Sequence, residues 1–146
     1  MTTNQEEMQR ILSKVCSRVK VFAGLYMDHL KGVLSSSKSV YCKEGEYLMY
    51  EGDESREFYV VLSGNFITVK KTPSGEETVA WTSGPGDSLG EVAFIDGLPR
   101  SSAVKAKSAG LLLAFDHKDV RKDPHFSSQI YYNIARDLSA RIRQMA

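Results

Sequence analysis

The residues best placed to do chemistry lie in one stretch, Gly84 to Ala103, GPGDSLGEVAFIDGLPRSSA, where glycines, an acidic residue, an arginine and small hydroxyl residues crowd between two β-rich segments. Small residues let the backbone approach a ligand, and exposed N–H groups at the start of a short helical turn can bind anionic oxygens. Arg100 can add a charge-assisted pair, bidentate where the anion is a phosphate, a task its planar fork performs better than a lysine. Glu91, nine residues earlier, can accept a hydrogen bond from a hydroxyl. An anion site beside a hydroxyl acceptor suits a nucleotide. The same residues also fit a plainer arrangement, a tight loop in which Glu91 and Arg100 form an internal ion pair and Gly90 and Gly97 only serve turn geometry.

Several elements must hold that stretch in place. Met8, Ile11, Leu12, Val15 and Val19 recur at helical spacing with no internal Gly or Pro, which predicts a helix over Gln5 to Val21. A second short helix is expected from Tyr26 to Leu34, ended by the Ser35 to Ser39 cluster. From Val40 to Phe115 the texture changes to short β-rich runs, YLMY, EFYVVL, FITVKK, TVAW and GLLLAF, separated by Gly-containing turns, the pattern of a sandwich or barrel. Thr72-Pro-Ser-Gly75 is the clearest hairpin signal, because Pro presets φ and Gly supplies the permissive turn position. A last helix follows, with Asp123 as N-cap, Pro124 in the first turn and Ile130, Ile134, Leu138 and Ile142 every four residues. Arg136, Arg141 and Arg143 read as a solvated face that complements the dipole of that helix. Trp81, the single tryptophan, reads as packing or partly exposed surface, with a place near the ligand pocket as the alternative.

Composition removes several function classes. The chain has 146 residues, 42% hydrophobic and 25% charged, with a net charge of +1, which suits one domain and offers no dense basic block for nucleic acid. The start, MTTNQEEMQR, lacks a signal-peptide pattern, and no apolar run approaches the ~18 residues needed to span a bilayer, so a cytoplasmic protein is expected. Cys16 and Cys42 are far apart and show neither disulfide-framework nor zinc spacing. His29, His117 and His125 form no HxH pair, and neither clustered metal ligands nor a GxSxG, HExxH or GxxxxGK[ST] sequence is present, so nothing supports a metal site or an enzyme.

Leu89-Gly-Glu-Val-Ala-Phe-Ile-Asp-Gly-Leu-Pro-Arg-Ser-Ser-Ala103 resembles the phosphate-binding cassette of the cyclic-nucleotide-binding domain family. The resemblance extends to Lys43-Glu-Gly-Glu-Tyr-Leu48, Glu51-Gly-Asp53, Phe58-Tyr-Val-Val-Leu-Ser-Gly64 and Gly84-Pro-Gly-Asp87, in the order of that family's glycine-punctuated strands, and so covers most of the chain. It implies a mainly β fold with flanking helices: an antiparallel double-stranded β-helix (β-roll or jelly roll) over 40–116 with its cassette at 89–103. N-terminal helices over 1–39 and C-terminal helices over 117–146 complete a single domain.

The resemblance further implies that Glu91 holds a ribose 2′-hydroxyl and Arg100 the exocyclic oxygens of a cyclic phosphate. Gly90, Val92, Ala93 and Ser101 complete the cradle. The implied ligand is a 3′,5′-cyclic nucleotide, cAMP ahead of cGMP, with no other cofactor; Ser101 itself does not decide the base. A contact to the base is expected from Arg141 to Met145. The expected mechanism draws the loop inward and repacks the Ile130, Ile134, Leu138 and Ile142 face. A homodimer through that helix and an unidentified effector protein are the partners the resemblance allows. A ligand-free interaction module, or the effector domain of a transcription regulator lacking its DNA-binding domain, stands as the alternative; direct DNA binding is not expected, because no recognition helix follows.

Overall fold

The computed structural model describes residues 6, 10, 13–14, 17–25 and 27–145. Among the described residues eight strands form the body: β1 (Lys38–Cys42), β2 (Tyr47–Met49), β3 (Glu57–Ser63), β4 (Phe66–Lys71), β5 (Glu77–Ser83), β6 (Ser88–Leu89), β7 (Ala103–Ala106) and β8 (Gly110–Asp116). They make two four-stranded sheets, ordered β1-β8-β3-β6 and β2-β7-β4-β5, with every pairing antiparallel. This is the expected β-roll. It begins at Lys38, two residues ahead of the expected start, because Lys38 and Ser39 already pair with β8, opposite Ala114 and Leu113.

β3 shows why the roll holds together. Successive side chains on a strand point to opposite faces, so Phe58 and Val60 enter one core while Tyr59 and Val61 enter the other. Phe58, Val60 and Val61 are fully buried, and a strand buried on both faces reads as a continuous apolar run, which EFYVVL is. Inside the roll, Phe66, Leu112, Val104 and Leu89 pack around Tyr59 and Val61. On the outer side, Phe58, Phe115 and Phe94 meet Val21, Phe22, Phe126, Ile130 and Ile134, which joins the helices to the first sheet. The Phe58 and Phe115 rings stack at 5.0 Å, and Phe94 meets Phe58 edge-on at 4.8 Å.

The 72–75 hairpin is present. Thr72 N–H donates to Glu76 O and Gly75 N–H to Thr72 O, and Gly75 takes a φ of +89°, closed to most L-residues. Cys42 is a buried free thiol whose pKa burial pushes up, while Cys16 lies outside the described residues.

Residues 13–14 and 17–18 are helical, and the helices whose bounds lie among the described residues are α1 (Met27–Ser36), α2 (Glu91–Asp96), α3 (His117–Arg121) and α4 (Pro124–Met145). Two expectations are corrected here. The helix expected over Gln5–Val21 does not reach its end: Val19 is extended (φ −87°, ψ 115°) and caps a 3₁₀ turn, Lys20–Phe22. Burial decides this, since leaving the helix at Val19 lets Val19, Val21 and Phe22 all enter the core. Met8, Ile11, Leu12 and Val15 lie outside the described residues. The serine cluster ends α1 later than expected, at Ser36, because the Ser35 hydroxyl bonds back to Gly32 O within the helix, and Ser37 then bonds Leu34 O as the chain turns.

α4 begins as the sequence indicates. Asp123 Oδ1 accepts from the N–H groups of His125 and Phe126, and its Oδ2 lies 3.0 Å from His29 Nδ1, so one carboxylate caps α4 and ties it to α1. The pairing with His29 and the two backbone bonds hold Asp123 below its ordinary pKa. Ile130 and Ile134 are buried and Leu138 is half-buried, but Ile142 is 66% exposed, so the apolar stripe outruns the body it packs on. Buried Asn133 donates to Val21 O and Ala23 O, both at 2.8 Å, which seats the 3₁₀ turn on α4. Among the described residues no helix is long and apolar enough to cross a membrane.

Candidate functional site

The site grows out of β6. Leu89 pairs with Tyr59 and brings the chain beside the start of β3, where Gly90 turns it with a left-handed φ of +77° and N-caps α2. A Cβ at Gly90 would lie 2.7 Å from Arg100 Nη1 and 3.1 Å from Glu57 O, so both φ and space require glycine. Seven residues later Gly97, also left-handed at φ +70°, closes α2 with a bond to Ala93 O.

Arg100 is held in place by main-chain groups of three neighbouring segments. Its N–H donates to Asp53 O and its carbonyl accepts from Gly52 N–H, both at 2.8 Å, so the Glu51-Gly-Asp53 turn fixes its backbone. Its side chain is 3% exposed, with Nη1 donating to Gly90 O (2.9 Å) and Nη2 to Glu57 O (2.8 Å) and Ser55 Oγ (3.3 Å). The guanidinium carbon lies 5.9 Å from the centre of the Tyr59 ring. No carboxylate neutralises Arg100 among the described residues, and its buried Nε has no hydrogen-bond partner. A buried cation compensated by neutral dipoles and an aromatic face alone is costly, and an anion is its natural complement.

Glu91, the first residue of α2, is 2% exposed. The internal Glu91–Arg100 pair is not formed. Glu91 instead faces α4, where its Oε2 lies 3.0 Å from Arg141 Nη2 at an angle that leaves the oxygen without a hydrogen bond. Burial pushes the Glu91 carboxyl above its ordinary pKa, opposed chiefly by the Arg141 charge. Arg141 corrects the reading of a solvated dipole-compensating arginine. Besides Glu91 it reaches Asp137 Oδ2 (2.9 Å) and Ser88 O (3.3 Å), and its guanidinium lies 5.2 Å from the centre of the Trp81 ring. Arg136 and Arg143 are exposed, as expected.

A cleft of about 100 Å³ joins these parts: Gly90, Glu91, Val92, Ala93, Arg100 and Ser101 all line it, with Arg141 at its edge. The sequence-predicted residues therefore converge on one surface. Ala93 is buried, whereas Val92 and Ser101 are exposed. Sequence reasoning quoted Glu51-Gly-Asp53 and EFYVVL as turn and strand but did not assign Ser55, Glu57 or Asp53 to the site, because they act through a hydroxyl and main-chain carbonyls that nothing in their side-chain pattern advertises. Arg141 stood within the expected Arg141–Met145 contact region, but its pairing with Glu91 joins residues fifty positions apart and left no local signal. No group of three or more His, Cys, Asp or Glu that could hold a metal ion occurs among the described residues.

The β-roll thus carries a buried cation, Arg100, and a buried carboxylate, Glu91, on one small cleft. The profile of the cyclic nucleotide-binding domain matches residues 39–122, and the chain belongs to that family. It is 32% identical over 116 residues to the cAMP-dependent protein kinase regulatory subunit of Yarrowia lipolytica, across 80% of this chain and 30% of that protein. Among solved structures it resembles the catabolite activator protein of Thermus thermophilus, with a TM-score of 0.77 and 26% identity over 86% of this chain and 59% of that one. It also resembles the regulatory domain of Toxoplasma gondii PKA crystallised with cAMP, with a TM-score of 0.71 and 27% identity over 80% and 44% of the two chains. The chain thus spans under a third of the curated kinase subunit it matches.

Proposed function

We propose that the chain binds a 3′,5′-cyclic nucleotide, cAMP ahead of cGMP, as a non-catalytic sensor that signals through α4. The observation that carries this reading is Arg100, a buried cation with an unpartnered Nε and no carboxylate beside it among the described residues, on the same cleft as buried Glu91, which is ion-paired to Arg141 at 3.0 Å. Buried polar groups are seldom left so, and a donor and an acceptor of opposite charge complement a phosphate and a hydroxyl. In this reading Arg100 meets the exocyclic phosphate oxygens, and the N–H groups around Val92, Ala93 and Ser101 complete the cradle. Glu91 accepts from the ribose 2′-hydroxyl. The preference for cAMP is supported by the relatives: a cAMP-dependent kinase subunit and a regulatory domain crystallised with cAMP.

The signalling step follows from Arg141. The carboxylate that would take the ribose hydroxyl is the one that anchors the end of α4, so ligand and helix share Glu91. A ligand shifts a conformational equilibrium only by its difference in affinity for the two states. Competition for Glu91, together with contacts to the base from Arg141, supplies such a difference. The last turns of α4, with Ile142 and Met145 exposed, offer an apolar seat for a second copy of the chain or for the effector. The site of action proposed is the cytoplasm, without direct DNA contact.

Thermal unfolding tests the reading. A ligand at about 100 times its Kd stabilises by about 2.7 kcal/mol, so 1 mM cAMP should raise Tm by several degrees while 5′-AMP, lacking the cyclic diester, does not. Equal Tm values in buffer, cAMP and cGMP would instead favour a ligand-free interaction module.

A further inference from the structure

Arg56 belongs to none of the groups that line the cleft, yet it touches the cassette at its far end. It stands immediately before β3, with Nη2 donating to Phe94 O (3.0 Å) and Ile95 O (3.1 Å), the carbonyls that the end of α2 leaves unpaired. No carboxylate lies within ion-pair distance of Arg56 among the described residues, so its charge is balanced by the negative end of α2. The fit is close, since a Cβ on Gly97 would come within 3.3 Å of Arg56 Cζ and Nε. The neighbours of Arg56 serve the other end of the same loop, with Ser55 Oγ and Glu57 O both accepting from Arg100 Nη2. Three consecutive residues entering one strand thus grip both the anion-facing arginine and the helix that carries Glu91.

We propose that Arg56 is a positioning residue for cyclic-nucleotide binding, clamping the C-terminal end of α2 so that Glu91 and the α2 backbone stay in register with Arg100. This inference rests on the cyclic-nucleotide reading above. α2 is only six residues long, too short to hold its own shape by propensity, so its orientation must come from outside contacts. On one side Phe94 supplies packing against Phe58, and on the other Arg56 supplies the polar anchor. Loss of the anchor leaves the contact atoms in place but widens the range of α2 orientations, and ordering α2 then weakens every binding event.

Arg56 also has a neighbour that reports its charge. His117 N–H donates to Arg56 O (3.1 Å), and the His117 ring lies edge-on to Phe94 at 5.4 Å, with Nε2 3.3 Å from the Tyr131 hydroxyl. Burial holds the His117 pKa below its ordinary value, followed by the charges of Arg56 and Arg121, with Asp116 acting the other way.

The test compares wild type with Arg56→Lys, Arg56→Gln and Arg56→Met, each titrated with cAMP well below its Tm while the His117 ring is titrated by NMR. The Met variant should bind about tenfold more weakly, the scale of losing charge-assisted bonds to two carbonyls, and Gln should fall between it and wild type. Lys, which keeps the charge and can reach a carbonyl, should recover most of the affinity and leave His117 low, whereas Met and Gln should let the His117 pKa rise. A wild type that binds no cyclic nucleotide refutes the cyclic-nucleotide reading itself. A wild type that binds, with Met and Gln variants within twofold of it, overturns the role of Arg56. Equal losses in Lys, Gln and Met overturn it too, since they would trace to packing around the side chain and not to its donors. Should the Met variant not fold, the Gln and Lys variants decide by the same criteria.

Discussion

Replacing Arg141 with Met separates its charge from its packing, because a methionine can still cover Trp81 while the guanidinium is lost. Glu91 would then be a carboxylate only 2% exposed with no cation beside it. Removing one partner of a fully buried pair costs about 3–5 kcal/mol. Arg141 is 22% exposed and shared with Asp137, so about 2 kcal/mol is expected here, near 6 °C in Tm at pH 7 for a chain of this size.

The pH dependence supplies the stricter check. A carboxyl whose folded pKa is raised contributes stability that is fully present below its unfolded value and is lost as pH rises through the folded value. Glu91 is such a group in wild type, and without Arg141 its folded pKa rises further. The Met variant should therefore regain stability against wild type as pH falls from 7 towards 5, because protonation removes the uncompensated charge. Adding Glu91→Gln to Arg141→Met should restore most of the loss at pH 7, a coupling of about 2 kcal/mol in the double-mutant cycle. A Tm difference unchanged between pH 7 and pH 5, together with additive single mutants, would refute the assignment of Arg141 as the counter-charge of Glu91.

Two further substitutions probe the frame around the site. Gly90→Ala places a Cβ 2.7 Å from Arg100 Nη1 at φ +77°, so cyclic-nucleotide affinity should fall at least about tenfold, measured by calorimetry, with Arg100 forced off its carbonyl partners. Asp123→Ala removes the α4 cap and the contact to His29, and chemical denaturation should show a loss of about 1–2 kcal/mol with cyclic-nucleotide affinity nearly intact. Because Asp123 has a lowered folded pKa, its contribution is present at neutral pH and is lost as acid protonates it, so wild type and variant should converge in strong acid.

Much of this was legible in the sequence, and the parts that were not share a cause. EFYVVL and GLLLAF announced β3 and β8 because strands buried on both faces must be apolar throughout, and Asp123-Pro124 marked the start of α4 through the chemistry of an N-cap. Gly90, Glu91 and Arg100 stood out because a close backbone approach and a charge in one short stretch are costly unless used. β6 and β7 were missed, since a two-residue strand and Ala-Val-Lys-Ala are made strands by their partners and not by their own propensity. The departure at Val19 was missed for the same kind of reason, because tertiary burial of Val19, Val21 and Phe22 overrides a helical spacing. Arg141 looked like a solvent arginine because helical position alone cannot show that β6 and α2 present Ser88 and Glu91 to it.

The central claim is tested most directly by isothermal titration of wild type, Arg100→Ala and Glu91→Gln with cAMP and cGMP, on protein freed of copurified nucleotide. The account predicts saturable binding of cAMP at micromolar affinity or tighter, stronger than that of cGMP. Binding should collapse in Arg100→Ala, and Glu91→Gln should bind more weakly because its amide is a poorer acceptor for the ribose hydroxyl. Wild-type protein that is folded yet gives no heat with either nucleotide, or Arg100→Ala that binds as well as wild type, would contradict it.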